Sequence, residues 1–85
     1  MSVKIRYFAW LREKTGVSEE TVTLPAGVAT IADLIAWLAR RGPEFQDAFA
    51  RPEAVRAAID QVHAKPMTRL AGAREIAFFP PVTGG

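Results

Sequence analysis

The sequence predicts an α+β domain in which a mixed β-sheet packs on one main helix. Three observations indicate this fold class: apolar and polar residues alternate near both ends of the chain, a well-capped amphipathic helix lies between them, and 85 residues suit a single domain. A chain of this length buries only about 60% of its unfolded surface, which leaves room for one hydrophobic core. We expect this domain at residues 1–79, followed by an extended tail at residues 80–85.

The composition is that of a globular chain, with 49% hydrophobic and 24% charged residues. Because the chain has no cysteine, disulfides, thiolate metal sites and thiol nucleophiles are excluded, and a cytoplasmic location is expected. The 11 basic residues are scattered among 9 acidic ones and form no dense patch, so we expect no nucleic-acid partner. The first residues, MSVKIRYF, lack the long apolar region that is typical of a signal peptide, and about 18 apolar residues nowhere run together, so we expect neither export nor contact with a membrane.

Two strands that pair as a hairpin are predicted in the first part of the chain. In VKIRYF, residues 3–8, apolar and basic side chains alternate, and Phe8 falls on the face opposite the apolar series. A helical turn that breaks at Gly16 follows. A second alternating segment, residues 20–24, stops at Pro25.

The main helix is predicted to begin after Thr30, because Thr30 and Asp33 have the spacing of an N-cap and its reciprocal partner. The apolar residues at helical spacing are Ile31, Leu34, Ile35 and Leu38. The arginines at 40–41 suit the negative end of the helix dipole. We expect Gly42 to be the left-handed residue past the helix end, and Pro43 cannot continue the helix.

The remaining segments complete a recognisable order of elements. Residues 43–50 are expected to form a short helix that directs Phe45 and Phe49, one turn apart, toward the core. Residues 54–64 are predicted as one strand, although their alanines also suit a helix, and residues 75–79 as the last strand. The order strand, strand, helix, strand or strands and final strand is that of a ubiquitin-like β-grasp fold.

Two aromatic residues are candidates for a docking surface. In the predicted sheet, Phe8 and Phe79 both point away from the face that the helix covers. Exposed aromatics on an open sheet face are typical of protein-binding sites. For each one singly, packing beneath a loop is an equally open interpretation.

The end of the chain is expected to be a flexible Gly-Gly tail that enters a partner. The tail residues that we expect to contact this partner are Pro80, Pro81, Val82, Thr83, Gly84 and Gly85. The two prolines lack an N–H and cannot extend the preceding strand. From the first proline to the last glycine the tail reaches roughly 20 Å at about 3.3 Å per residue. Val82 could anchor it, and the glycines, which have no Cβ, could pass through a narrow channel to present the carboxylate.

The ending FFPPVTGG, residues 78–85, resembles that of the MoaD-type sulfur carriers, the small subunits of molybdopterin synthase within the ubiquitin-like ThiS/MoaD family. The resemblance extends from VKIRYFAWLRE at the start of the chain to AIDQ at residues 58–61. The chain departs from the pattern at residues 71–74, where AGAR replaces an Asp-Gly-Asp-like turn. A partner contact through acidic groups in that turn is therefore not carried over.

The resemblance implies a role in molybdenum cofactor biosynthesis. An adenylating, E1-like enzyme would use ATP to activate the Gly85 carboxylate, and a sulfur donor system would replace AMP to give a thiocarboxylate. The large subunit of molybdopterin synthase would then use this sulfur, in an assembly expected to be a dimer of heterodimers. The small subunit would hold no permanent cofactor, and the general acid-base groups would belong to the large subunit.

Two other functions are compatible with a terminal Gly-Gly. The chain could carry sulfur for thiazole synthesis or tRNA thiolation, in which case only the acceptor differs. It could also be a ubiquitin-like modifier that forms an isopeptide through Gly85. A third interpretation is an interaction module that uses only Phe8 and Phe79 and tolerates extra residues after the last glycine.

The other polar residues carry simpler interpretations. His63 is the only histidine and, without cysteine, gives no reason to expect a metal site; an exposed strand or interface position suits it better. Lys65, beside Pro66, could meet a carboxylate across an interface, although a turn lysine is usually solvated. Glu19, Glu20 and the arginines at 40–41 are also expected to be solvated charges.

Overall fold

The computed structural model describes residues 2–81, which contain five β-strands, three α-helices and one 3₁₀ turn. The strands are β1 (Ser2–Tyr7), β2 (Glu19–Thr23), β3 (Arg56–Ile59), β4 (Val62–Ala64) and β5 (Glu75–Phe79). The helices are α1 (Ala9–Thr15), α2 (Ile31–Ala39) and α3 (Pro43–Ala48), and the 3₁₀ turn covers Pro52–Ala54. None of the helices within residues 2–81 is long and apolar enough to cross a membrane.

The strands form one mixed sheet in the order β2-β1-β5-β3-β4. β1 pairs antiparallel with β2, as predicted for the first hairpin, and parallel with β5. β3 pairs antiparallel with both β5 and β4. The parallel register places Tyr7 beside Phe78, so the ends of β1 and β5 meet at the same edge of the sheet.

The core lies between one face of the sheet and the helices. The side chains with less than 2% exposure include Val3, Ile5, Tyr7, Leu11, Leu34, Leu38, Leu70, Ile76 and Phe78. These positions alternate along β1 and β5 and recur at helical spacing along α2, as the sequence predicts. Phe45 and Phe49 are also buried and place edge-on rings against Tyr7, which confirms their predicted role in α3 and just after it.

The predicted start of α2 is confirmed by a reciprocal pair of hydrogen bonds. The Asp33 amide donates to Thr30 Oγ1 at 3.2 Å, and the Thr30 amide donates to Asp33 Oδ2 at 3.1 Å. The prediction for Gly42 is wrong: with φ 156° and ψ 172° it is not left-handed helical but is the N-cap of α3. α2 ends at Ala39, and Pro43 is the first residue of α3, because its fixed φ suits the first helical position.

The prediction of one strand over residues 54–64 is wrong, because this segment forms the β3–β4 hairpin. Its two-residue turn, Asp60 and Gln61, has φ values of 49° and 71°, as a type I′ turn requires. No glycine marks this turn. Instead, Asp60 Oδ1 accepts hydrogen bonds from the amides of Arg74 and Glu75 at 3.0 and 2.9 Å, which hold the turn against the start of β5.

Candidate functional site

The last strand is fixed in the core up to the point where the tail begins. Phe78 is fully buried, stacks on Tyr7 with ring centroids 6.3 Å apart, and meets Phe49 edge-on at 5.3 Å. The Phe8 amide donates to the Phe78 carbonyl at 3.0 Å. The chain that follows Phe79 therefore starts from a fixed position at the end of the central strand of the sheet.

Pro80 and Pro81 follow β5 outside the strand and are both half-buried. The absence of an N–H at these positions explains why the ladder stops at Phe79. The predictions for Val82, Thr83, Gly84 and Gly85 fall on residues outside the described range.

The face of the sheet opposite the core carries an apolar area that we call the outer patch. It consists of Phe8, Ala58, His63, Ala77 and Phe79. Ala58 faces both Ala77 on β5 and His63 on β4, and the His63 ring meets the Phe79 ring edge-on with centroids 6.2 Å apart. Phe8 is 39% exposed and sits just past β1, at the start of α1. The two aromatics predicted to form a docking surface thus lie at the end of the sheet from which the tail leaves.

Cations border the outer patch. The Arg6 guanidinium lies 5.1 Å from the centroid of the Phe8 ring, and Arg56 is the register partner of Phe79. An apolar centre with a charged border is the usual anatomy of a protein-binding surface. Farther along the same face, the ion pairs Lys4–Glu19 (3.2 Å) and Arg6–Glu75 (3.8 Å) make the surface charged.

No pattern in the sequence indicates that Arg56 and His63 are neighbours of Phe79. Both positions follow from the pairing of β3 with β5 and with β4, and the hairpin that creates this pairing was itself predicted as one strand. If residues 56–63 are treated as one continuous strand, alternation places Arg56 and His63 on opposite faces. The two residues share a face only because a turn separates β3 from β4.

The expectation that Glu20 and Arg41 are separate solvated charges is wrong. Arg41 donates two hydrogen bonds to the Glu20 carboxylate, at 2.7 and 2.8 Å, and the Tyr7 hydroxyl donates a third at 2.7 Å. The Arg41 hydrogen bonds hold the pKa of Glu20 below its ordinary value, and burial raises the pKa of Tyr7. This cluster connects β1, β2 and the segment after α2, so its role is structural.

The described residues offer little for metal chemistry. Within residues 2–81, no group of three or more His, Asp or Glu side chains is arranged to hold a metal ion. Over the same range, every buried side-chain polar atom has a hydrogen-bond partner. The features that remain are the outer patch and the end of β5 beside it.

A comparison with protein families decides which family has this arrangement. The model of the ThiS family matches residues 5–85. The chain belongs to the ThiS family. A relative from Chlamydomonas reinhardtii, named molybdopterin synthase sulfur carrier subunit, is 32% identical over 87 aligned positions that cover 100% of both chains.

Solved structures confirm the fold of this ThiS-family chain. The crystal structure of SAMP1 from Haloferax volcanii matches with a TM-score of 0.72 and 24% identity, covering 100% of both chains. A second structure, of small archaeal modifier protein 1 from the same organism, gives a TM-score of 0.65 and 22% identity, covering 95% of this chain and 98% of the other. The predicted ubiquitin-like β-grasp fold is confirmed.

Proposed function

We propose that this ThiS-family chain is the sulfur carrier subunit of a molybdopterin synthase. The observation that carries the proposal is the 32% identity, over the full length of both chains, to a relative named as that subunit. The geometry supports this proposal. Phe78 is buried in the core and fixes the strand from which the tail would extend, and the outer patch beside that strand suits docking to larger proteins. The carrier itself would be consumed and recharged, with the catalytic groups on its partners.

The sulfur would be loaded in two steps at Gly85. In the first, the Gly85 carboxylate attacks the α-phosphorus of ATP on an E1-like enzyme, which forms an acyl-adenylate and releases pyrophosphate. In the second, a hydrosulfide ion released by the donor system attacks the acyl carbon, forms the C–S bond and expels AMP, and loss of the remaining S–H proton gives the thiocarboxylate. The adenylate is needed because a free carboxylate is a poor electrophile, and the thiocarboxylate that results is a soft nucleophile.

Transfer would take place on the large subunit of the synthase. The thiocarboxylate sulfur attacks a carbon of the pterin precursor and displaces an oxygen substituent from it, and water then cleaves the acyl–sulfur bond, which leaves the sulfur on the pterin and returns Gly85 as a carboxylate. Val82 would anchor the tail, while Thr83 and Gly84 would be narrow enough to follow a channel to the active site. ATP would bind only to the E1-like enzyme, and two carriers with two large subunits would form a dimer of heterodimers.

The activation step can be tested by ATP–pyrophosphate exchange with an E1-like enzyme from the same organism. We expect exchange with the wild-type chain, and loss of exchange when one alanine is appended after Gly85, because the carboxylate is then moved beyond the reacting position. A chain with one alanine added at the N-terminus is the matched control and should remain active. Equal exchange with both extended chains would contradict the proposal.

A second candidate function is that of a ubiquitin-like protein modifier joined to target lysines through Gly85. The fold likeness to small archaeal modifier protein 1 favours keeping it. It shares the adenylation step but predicts isopeptide conjugates and no transfer of sulfur to a pterin. A carrier for thiazole synthesis or tRNA thiolation would form the thiocarboxylate but would not support dithiolene formation when mixed with the large subunit.

A further inference from the structure

An apolar groove of about 730 Å³ lies between α2 and the β3–β4 hairpin. Small side chains line much of it: Ala32, Ala36, Ala39, Ala57 and Ala64. Because alanine fills so little space, the helix and the hairpin leave an open channel between them rather than a closed seam. The volume falls in the range of roughly 300–1,000 Å³ that is typical of protein pockets. The sulfur chemistry proposed above does not use this groove.

The border of the groove is cationic. The charged residues Arg56 and Lys65 lie along its sheet side together with His63, and Glu53 is the acidic residue among the described residues of its lining. The Glu53 carboxylate is already 3.3 Å from Arg51. Lys65 makes no ion pair within residues 2–81. The groove therefore complements an apolar segment that carries a carboxylate.

Within residues 2–81, the strand beside the groove has a backbone position at His63 that no other strand pairs. β4 is an edge strand of the sheet. Ile59 and Val62 flank the two-residue turn, so their backbones form a hydrogen-bonded pair, and the next pair, Ala58 and His63, is a non-hydrogen-bonded pair. The Asp60 amide donates to the Glu75 carbonyl at 2.8 Å, as expected if the backbone groups along β3 bond alternately to β4 and to β5. Consequently, the N–H and C=O of His63 face the open edge of the sheet, where an extended chain can pair with them.

The groove continues from the outer patch around the edge of the sheet. Arg56 and His63 border the groove, and both are also neighbours of Phe79: Arg56 in the strand register, and His63 through the edge-on ring contact at 6.2 Å. A protein that docks on the outer patch can therefore reach the groove without leaving the surface of this chain.

We propose that the groove holds an extended segment of the large subunit that receives the tail. This segment pairs with the His63 backbone, directs apolar side chains onto the alanine floor, and places a carboxylate near Lys65 or Arg56. The proposal rests on the proposed function for the identity of the partner. It gives His63 and Lys65 a part in recognition, and it adds a second attachment that slows dissociation while the tail is engaged.

The test is calorimetric titration of this chain into the large subunit of molybdopterin synthase from the same organism. Ala36→Phe fills the groove, and Lys65→Glu reverses the charge at its border without changing the core. We expect each to weaken binding about tenfold. The matched controls, Ala26→Phe and Arg12→Glu, place the same changes at exposed positions outside the groove and should stay within about twofold of wild type. Thermal unfolding verifies that all variants are folded.

A chain truncated after Pro81 separates the groove from the tail. Truncation should weaken binding, and Lys65→Glu should weaken it further in the truncated chain. If the groove variants bind like the controls, the groove proposal is overturned while the proposed function stands; if the wild-type chain does not bind at all, both are overturned. A change in sedimentation of the isolated groove variants would assign the groove to a second copy, and altered Ala36 and Lys65 amide shifts on truncation would assign it to the chain's own tail. Either result contradicts the proposal.

Discussion

Glu20 shows how one carboxylate can connect separate parts of the fold. It accepts hydrogen bonds from the Tyr7 hydroxyl, at the core end of β1, and from Arg41, beyond the end of α2. The Arg41 guanidinium also lies 4.8 Å from the centroid of the Phe45 ring, so the same side chain covers the aromatic core. The Glu20 side chain is only 18% exposed, which strengthens these contacts relative to those of a solvated pair.

The Glu20 cluster should make stability depend on pH at the acid end. Because the folded-state pKa of Glu20 is lowered, mainly by the Arg41 hydrogen bonds, its contribution is complete above the unfolded pKa of about 4.3 and is lost as the pH falls through the folded value. We expect Glu20→Gln to cost about 1–2 kcal/mol at neutral pH and to flatten the loss of stability below about pH 4.3.

Urea unfolding between neutral and acid pH measures this dependence. Glu13→Gln, an exposed position on α1, controls for the removal of one negative charge. If wild type and Glu20→Gln lose stability in parallel on acidification, the cluster does not contribute as described.

Contacts between residues close in sequence could be predicted, whereas contacts between distant residues could not. Thr30 and Asp33 are three positions apart, and their capping box was predicted because helix geometry alone brings them together. Glu20 and Arg41 are 21 positions apart, and only the packing of β2 beside the end of α2 makes them partners. Local geometry is encoded in the spacing of residues, whereas this ion pair depends on the tertiary fold.

At the scale of elements, the β3–β4 turn is a site of backbone strain. Gln61 adopts φ 71°, a left-handed conformation that costs a residue with a Cβ about 1 kcal/mol. Asp60 tolerates the same region better and uses its carboxylate to bind the amides of Arg74 and Glu75.

Gln61→Gly should therefore stabilise the protein by about 0.5–1 kcal/mol, because it removes the strain and creates the Asp-Gly pair that a type I′ turn prefers. The change is measurable as a shift in the urea midpoint. Gln46→Gly, in the interior of α3, is the opposite control and should destabilise by a similar amount. A destabilised Gln61→Gly variant would contradict the assigned turn geometry.

The same turn explains why one element was mispredicted while the others were not. β1, β5 and α2 carry apolar residues at clean periods of two or 3.6, and each was predicted with its buried face. Residues 54–64 are rich in alanine, which has little preference for either face, and their turn lacks glycine. Without a break signal, two short strands of the same hairpin look like one longer strand.

At the scale of the whole molecule, the outer patch should determine how the carrier docks. Phe79→Ala removes an aromatic that contacts the His63 ring and is the register partner of Arg56, and we expect binding to the large subunit to weaken by about 2 kcal/mol. Met67→Ala is the matched control, since Met67 is apolar and 75% exposed but lies outside the patch. Equal effects of the two changes on the titration would exclude the outer patch as the docking face.

The sequence predicted which residues were candidates for this surface but not how they combine. Phe8 and Phe79 were assigned to the open face because strand periodicity fixes the face of each side chain. Their position at one end of the sheet depends on the parallel β1–β5 pairing, and the addition of His63 depends on the order of strands. The long-range register of the sheet is the part that local patterns leave undetermined.

The central claim is that Gly85 carries sulfur, and the most direct measurement is the intact mass of this protein before and after incubation with ATP, an E1-like enzyme and a sulfur donor. We predict a gain equal to the replacement of one oxygen by sulfur, which fragmentation maps to Gly85 and which is absent without ATP. An unchanged mass for the free chain, together with its appearance in conjugates to lysines of larger proteins, would contradict the account and support the modifier function.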